Sequence, residues 1–106
     1  MSPTQLEIKV KALQRLVKEE KYYLQELKDQ KKHVDELKAD SSVDKYDLKK
    51  QEEVLADTER LLPTLYVKIK EFQDNLEEYL NTYNGNEDTK EAKEAIETSK
   101  KLLSKH

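Results

Sequence analysis

Two histidines are the side chains of this 106-residue sequence best suited to proton transfer or metal binding near neutral pH. His33 lies in the charged stretch KDQKKHVDEL, with Asp29 four residues before it and Glu36 three residues after it. On a helix that spacing could bring three side chains to one metal ion. A solvated surface histidine has the same surroundings, and it is the interpretation we favour. His106 is the last residue, and we assign it no chemical role.

The sequence also lacks the other groups that enzymes commonly use. It contains no Cys and one Gly, which argues against a Cys-based zinc site, a disulfide framework and a glycine-rich phosphate loop. The Glu-x-x-His pair of di-iron helix bundles does not occur. The 23 acidic residues are interspersed with 20 Lys and Arg, as on a solvated helix surface with intrahelical ion pairs. We therefore predict no catalytic residue, no metal, no cofactor and no small-molecule ligand, and a protein that is not an enzyme.

The charge distribution favours a protein partner over other partners. The net charge is −3 with both signs mixed, whereas proteins that bind nucleic acid or membrane surfaces carry a basic face. No apolar run approaches the roughly 20 residues of a membrane span. The opening MSPTQLEIKVKAL does not resemble a signal peptide. We expect a soluble intracellular protein with no nucleic-acid or membrane partner.

The composition predicts an all-α fold. Ala, Glu, Lys, Leu and Arg supply 55 of the 106 residues, a share typical of long helices, and no alternating strand pattern occurs. The stretches ADSSVDKY and YNGNEDT interrupt the helical pattern. We predict helices over roughly 4–39, 45–83 and 89–104. Because short connections force neighbouring helices to be antiparallel, they should form a single domain, 1–106, an elongated antiparallel three-helix bundle.

Local signals mark the predicted helix ends. Thr4 stands at the start of the first helix, and Asp44 is a suitable N-cap for the second. Asp88 with Glu91 resembles a capping box for the third. Gly85 is expected to end the second helix in the left-handed conformation that glycine tolerates.

The apolar stripes predict where three helices meet. Apolar residues are dense in the first two-thirds of helix 1 and the late half of helix 2, and they are thin elsewhere. Helix 3 is too short to cover more than the dense ends. The expected core residues are Leu6, Val10, Leu13, Leu16, Val17, Tyr23, Leu24, Leu27, Val34, Leu37, Leu48, Val54, Leu55, Leu61, Leu62, Leu65, Tyr66, Ile69, Phe72, Leu76, Tyr79, Leu80, Tyr83, Ala92, Ala95, Ile96, Ser99, Leu102 and Leu103.

Pro63 interrupts the heptad spacing of helix 2. It cannot donate to the carbonyl of Glu59, and its ring crowds that turn, so we expect helix 2 to be bent or broken near Pro63. One explanation is that Pro63 changes the direction of helix 2 at the boundary between two-helix packing and three-helix packing. The other is a tolerated proline on the solvent side, and the sequence does not decide between them.

Two helix faces are candidates for partner binding. Ile8, Arg15 and Tyr22 are spaced by seven residues on helix 1, and Arg and Tyr are favoured interface anchors. Incidental exposure, or packing against helix 3, would explain the same spacing. The outward polar face of helix 2 is either simply solvated or laid along another protein, and it holds Lys49, Lys50, Glu53, Asp57 and Arg60.

Two stretches resemble one protein family. LEIKVKALQRLVKEEKYY, Leu6 to Tyr23, resembles the first helix of the tubulin-binding cofactor A family, and YDLKKQEEVLADTERLLP, Tyr46 to Pro63, resembles its most recognisable stretch. The likeness covers nearly the whole chain and is closest to the fungal members. It implies a three-helix bundle that captures β-tubulin, in the folding pathway or when in excess over α-tubulin, without nucleotide or metal. It also implies a cytoplasmic, microtubule-associated location.

The resemblance implies candidate contact residues as well, and rival functions stay open beside it. The implied contacts are Arg15, Tyr22, Lys49, Lys50, Glu53 and Arg60. A structural or tethering coiled coil without a tubulin client is the alternative, although Pro63 and Gly85 favour packing within one chain. A prefoldin-like holdase would need strands, which are not predicted. The two-helix end could also form a homodimer.

Overall fold

The computed structural model describes residues 2–106 and contains three α-helices. They are α1 (Gln5–Ala39), α2 (Lys45–Asn81) and α3 (Lys90–Ser104), and no strand occurs among the described residues. The all-α prediction with three helices is confirmed. The largest difference in helix bounds is at the end of α2, which stops two residues before the predicted end.

The chain packs as two compact units. The first unit joins the residues up to Glu19 with Leu65–His106, and the second unit comprises Glu20–Thr64. The first unit therefore contains parts of all three helices, whereas the second contains the end of α1, the turn and the start of α2. That the two units fold as one domain stays a prediction.

The first unit holds nearly the whole apolar core. Of the twelve buried hydrophobic residues among residues 2–106, eleven belong to it, and Leu13, Ile69 and Leu76 have no exposed surface. Side chains contributed by α1, α2 and α3 all take part, as the dense apolar stripes predict. The eleven are Leu6, Val10, Leu13, Leu16, Val17, Leu65, Ile69, Leu76, Ala92, Ala95 and Ile96.

A buried polar contact joins α2 and α3 inside this core. The Ser99 hydroxyl donates to Gln73 Oε1 at 2.7 Å and lies 2.8 Å from the carbonyl oxygen of Ile96. Both side chains are buried, since Ser99 is 0% exposed and Gln73 3%. The bond gives buried Gln73 Oε1 a hydrogen-bond donor. The sequence analysis includes Ser99 in the core and misses Gln73.

The second unit has a much thinner core. Val34 is its one buried hydrophobic residue among those described, and Glu20 and Thr58 are buried polar residues. Gln30 Oε1 is buried and has no hydrogen-bond partner. An unsatisfied acceptor of this kind lowers the free energy of unfolding. The thin stripes of the sequence therefore correspond to a weakly apolar seam.

Several residues expected in the core are exposed. Leu24, Val54 and Leu61 are between 38% and 50% exposed in the second unit, and Phe72 is 40% exposed in the first. The second unit contains only two helices, so it cannot cover a wide stripe. On α2 of the first unit, Gln73 takes the inward position next to Phe72, which leaves the aromatic ring at the edge. The core assignment of these four residues is wrong.

The helix starts follow two of the three capping predictions. The Glu7 N–H donates to Thr4 Oγ1 at 3.2 Å, and the Tyr46 N–H donates to Asp44 Oδ1 at 2.9 Å. The capping box at α3 is wrong, because Thr89 is the N-cap and makes no side-chain cap. Asp88 still accepts from the Lys90 N–H at 2.9 Å, one position earlier than a capping box requires.

Gly85 has a different role from the predicted one. No described glycine has a positive φ, so the left-handed helix end is wrong. A Cβ at Gly85 would instead collide with the Tyr83 ring, whose Cε1 atom lies 2.8 Å from that position. The Tyr83 hydroxyl accepts from the Glu87 N–H at 3.1 Å. A larger residue at this position would require the Tyr83 ring to shift, because the phenol crosses the loop at close range.

Helix α2 is continuous through Pro63. The helix runs from Lys45 to Asn81 without interruption, so the expected break does not occur, and a bend stays a prediction. Pro63 is exposed, which agrees with a proline tolerated on the solvent side. The division between the two units nevertheless falls directly after Thr64.

Replacing Pro63 by Ala should stabilise the protein. The new N–H can donate to the Glu59 carbonyl, and we expect the free energy of unfolding to rise by about 1–2 kcal/mol in urea titrations. Thr64→Ala, at an exposed neighbour in the same helix, is the control and should change it by less than about 0.7 kcal/mol. A P63A protein no more stable than the parent would show that the helix accommodates the proline without cost.

Replacing Ser99 by Ala should destabilise the first unit. The substitution leaves Gln73 Oε1 buried without its donor, so we expect a loss of about 1–3 kcal/mol in thermal or urea unfolding. Ser104→Ala removes an equivalent bond on the exposed surface of α3, from Oγ to the Lys101 carbonyl at 2.8 Å. It should cost less than about 0.5 kcal/mol. Equal losses in the two variants would contradict the role given to the buried bond.

Candidate protein-binding surface

The described residues form open depressions between exposed helix surfaces. His33 is exposed, and residues 2–106 contain no cluster of three His, Cys, Asp or Glu able to hold a metal ion. None of the helices in this range is long and apolar enough to cross a membrane. A depression of about 410 Å³ in the first unit is lined by Ile8, Lys9, Ala12, Glu71, Phe72 and Asn75.

The predicted α1 residues of the first unit point away from the core. Ile8 is 49% exposed, and Arg15 is exposed two turns later. The neighbouring residue Gln14 contacts α3 through a hydrogen bond from Nε2 to Glu91 Oε1 at 3.1 Å. Ile8 lines the depression shared with α2. The exposure of Ile8 and Arg15 makes both side chains accessible at the surface of the first unit.

Tyr22, the third residue of the predicted α1 line, belongs to the second unit. Its side chain is 67% exposed. The ring meets the neighbouring Tyr23 ring edge to face, with centroids 6.0 Å apart and an interplanar angle of 66°. Tyr22 thus presents a large aromatic side chain at the surface, and such side chains are suited to contacts with another protein.

The predicted α2 residues all lie on the exposed surface of the second unit. Lys49, Lys50, Glu53 and Arg60 are exposed. Arg60 Nη1 contacts Asp57 Oδ1 at 2.8 Å, with the two side chains 75% and 72% exposed. An ion pair between side chains this exposed contributes little to stability. Breaking it to contact charged groups of a partner therefore costs little free energy.

Residues beside Ile8 that the sequence did not indicate also belong to this surface. Lys9 Nζ donates to Asn75 Oδ1 at 2.6 Å and lies 5.4 Å from the centroid of the Tyr79 ring, which ties α1 to α2. Phe72 lines the same depression, although the stripe analysis places it in the core. Its exposure follows from the inward position of Gln73, which depends on the hydrogen bond from Ser99 of α3.

Exposed ion pairs surround this part of α2. Lys70 Nζ contacts Asp74 Oδ1 at 2.9 Å, and the hydrogen bond and charge of Asp74 raise the pKa of Lys70. Lys100 Nζ contacts Glu77 Oε1 at 3.0 Å between α3 and α2. The raised pKa keeps Lys70 charged at neutral pH. This surface thus presents charged side chains beside exposed apolar groups.

Comparison with known proteins identifies the family. The family model for tubulin binding cofactor A matches residues 1–98. The chain belongs to the tubulin binding cofactor A family. Tubulin-specific chaperone A of Saccharomyces cerevisiae is 66% identical over 103 residues, covering 97% of each chain. The human tubulin-specific chaperone A is 31% identical over 91 residues, covering 86% of this chain and 83% of the human one.

A solved structure has the same fold as this cofactor A chain. It is that of Rbl2p, a β-tubulin binding post-chaperonin cofactor, with a TM-score of 0.88 and 65% sequence identity. The match covers 95% of this chain and 99% of that chain. The predicted family is confirmed, and the higher identity to the yeast relative than to the human one agrees with the predicted fungal affinity.

Replacing both Arg15 and Tyr22 by Ala should leave this cofactor A chain folded. Both side chains are exposed, so we expect unchanged helicity by circular dichroism and a loss of less than about 1 kcal/mol in unfolding free energy. Leu13→Ala, on the buried side of the same helix, should cost about 2–5 kcal/mol. A loss of helicity in the double variant would mean that these residues belong to the core.

Proposed function

We propose that this chain is a non-enzymatic tubulin-folding cofactor. It captures β-tubulin and holds it, either in the folding pathway or when β-tubulin is in excess over α-tubulin. Membership of the cofactor A family carries this proposal, together with the 66% identity to a tubulin-specific chaperone over 97% of the chain. The Rbl2p structure supports β-tubulin as the subunit bound, because that protein is named for binding it. The place of action is the cytoplasm, alongside the microtubule cytoskeleton.

The surface chemistry supports a holding function. A protein that holds a client needs an exposed surface with anchors, and the helices expose aromatic, aliphatic and charged side chains. We propose Ile8, Arg15 and Tyr22 on α1, with Lys49, Lys50, Glu53 and Arg60 on α2, as contact residues. All seven are exposed. No step of this function requires a cofactor, a metal or a small molecule.

A structural or tethering coiled coil is the less favoured function. It would need heptads that pair one chain with another. Here the apolar residues at the dense ends of the stripes are already buried between α1, α2 and α3 of the same chain. The family relationship points the same way, since the named relatives are tubulin chaperones.

Co-elution with dissociated tubulin tests the proposed function. We expect this chain to carry β-tubulin, and not α-tubulin, through gel filtration as a complex stable to moderate salt. Binding to neither subunit would overturn the proposal and make the tethering function the better one. Arg15→Ala with Tyr22→Ala should weaken co-elution, whereas Lys93→Ala with Glu97→Ala, at exposed positions on α3, should retain it.

A further inference from the structure

One part of the first unit carries a local charge opposite to that of the chain. Residues 8–18 of α1 and 65–70 of α2 hold six Lys or Arg and no Asp or Glu, and one of the six, Lys70, is paired with Asp74 outside these segments. The whole chain has a net charge of −3, so the remaining residues carry −9. The concentration of positive charge is therefore a property of these two neighbouring helix segments.

The two segments flank the depression between α1 and α2. Ile8 and Ala12 line it from α1, and Phe72 and Asn75 line it from α2. Its volume of about 410 Å³ falls within the range of pockets that take apolar groups. The Lys9–Asn75 hydrogen bond of 2.6 Å links the two helices there. The depression is thus a preformed, partly apolar groove.

Two cations lie at one end of this groove. Arg15 follows Ala12 by three residues on α1, and Lys68 precedes Phe72 by four residues on α2, so each is about one turn beyond the lining. Both side chains are exposed. Because a short connection joins α1 to α2, the two helices run in opposite directions, and the two cations therefore lie at the same end. Glu71 is the one carboxylate that lines the groove.

We propose that this groove is a docking site for an acidic segment of the client, β-tubulin. An apolar side chain of that segment fills the space between Ile8 and Phe72, and carboxylates beside it contact Arg15 and Lys68. Arg is suited to the carboxylate contact because its guanidinium binds carboxylates with two parallel hydrogen bonds. This inference rests on the proposed function, from which it takes the identity of the client.

Charge complementarity also decides against a second copy of this chain as the occupant. In a two-fold symmetric dimer the same patch faces itself. The net positive charge of one patch would then face the net positive charge of the other, and repulsion between like charges weakens such an interface. An acidic client segment meets the same patch with attraction, so the surface discriminates between the two.

Charge reversal tests the cation pair. We expect Arg15→Glu with Lys68→Glu to raise the Kd for β-tubulin at least about tenfold, measured with β-tubulin from dissociated tubulin at low salt. Binding by the parent should weaken as salt increases, and the salt dependence should be smaller for the variant. Lys28→Glu with Lys32→Glu makes the same change in charge at exposed positions of α1 and should alter Kd less than about twofold.

Truncation of Phe72 tests the apolar part of the groove independently. Phe72→Ala should raise the Kd about tenfold, because it removes an exposed aromatic group that contacts the client. Val67→Ala is the matched control, since Val67 is 58% exposed on the same helix but does not line the groove. Circular dichroism and thermal unfolding of each variant confirm that it is folded.

The outcomes separate this inference from the proposed function. If the parent binds β-tubulin and all variants bind as tightly, the groove is not the docking site, although the function stands. If the parent does not bind, the function fails and the inference fails with it. If Phe72→Ala alters the sedimentation of the chain by itself, the groove is a contact between copies, and the inference is overturned.

Discussion

The packing of α3 is the interaction on which the first unit depends. Its inward face consists of Ala92, Ala95, Ile96 and Ser99, all buried. Three of these side chains are small, so α3 lies close to its neighbours, and the Ser99–Gln73 bond fixes its position along α2. A 15-residue helix is marginal in isolation, so α3 depends equally on the unit it covers.

The contrast between the two units follows from the presence or absence of this third helix. In the first unit Leu13, Ile69 and Leu76 are fully buried, whereas the second unit has polar residues in its seam and the unsatisfied Gln30 Oε1. Local opening costs least where few apolar contacts are made. The start of α2, with its exposed Lys49 and Lys50, therefore belongs to the less stable unit. The groove beside Ile8 belongs to the more stable unit.

The sequence predicts the helices and most of the core because their signals are periodic. The dense stripes of α1 and α2 and the length of α3 together predict where three helices meet, and burial of Leu13, Ile69 and Ala95 agrees. The errors arise where tertiary context overrides periodicity. Phe72 continues the stripe, yet Gln73 lies inward because Ser99 on α3 supplies its hydrogen bond. No pattern within α2 alone contains that information.

The role of Gly85 in the loop after α2 was not predicted, for a similar reason. The close approach of the Tyr83 ring to Gly85 depends on a side chain that folds back over the loop, whereas a left-handed glycine is the usual local explanation. The candidate surface was predictable in part. The seven-residue spacing identifies Ile8, Arg15 and Tyr22 as one exposed line, but the groove also needs Phe72, which the sequence places in the core.

The position of the groove above the best-packed part of the chain bears on how it can act. Ile8 and Ala12 lie on the same turns of α1 as the buried Val10 and Leu13. The Lys9–Asn75 hydrogen bond links α1 to α2, which forms the other side of the groove. Binding to such a surface requires little ordering of the backbone. Less free energy is therefore lost on binding, and the same contacts give a higher affinity. Because Ile8 and Phe72 are exposed, the chain lacks the stabilisation that their burial in a wider core would provide. A surface with this combination of rigidity, exposed apolar groups and local positive charge is better explained by capture of a partner than by stability of the chain itself.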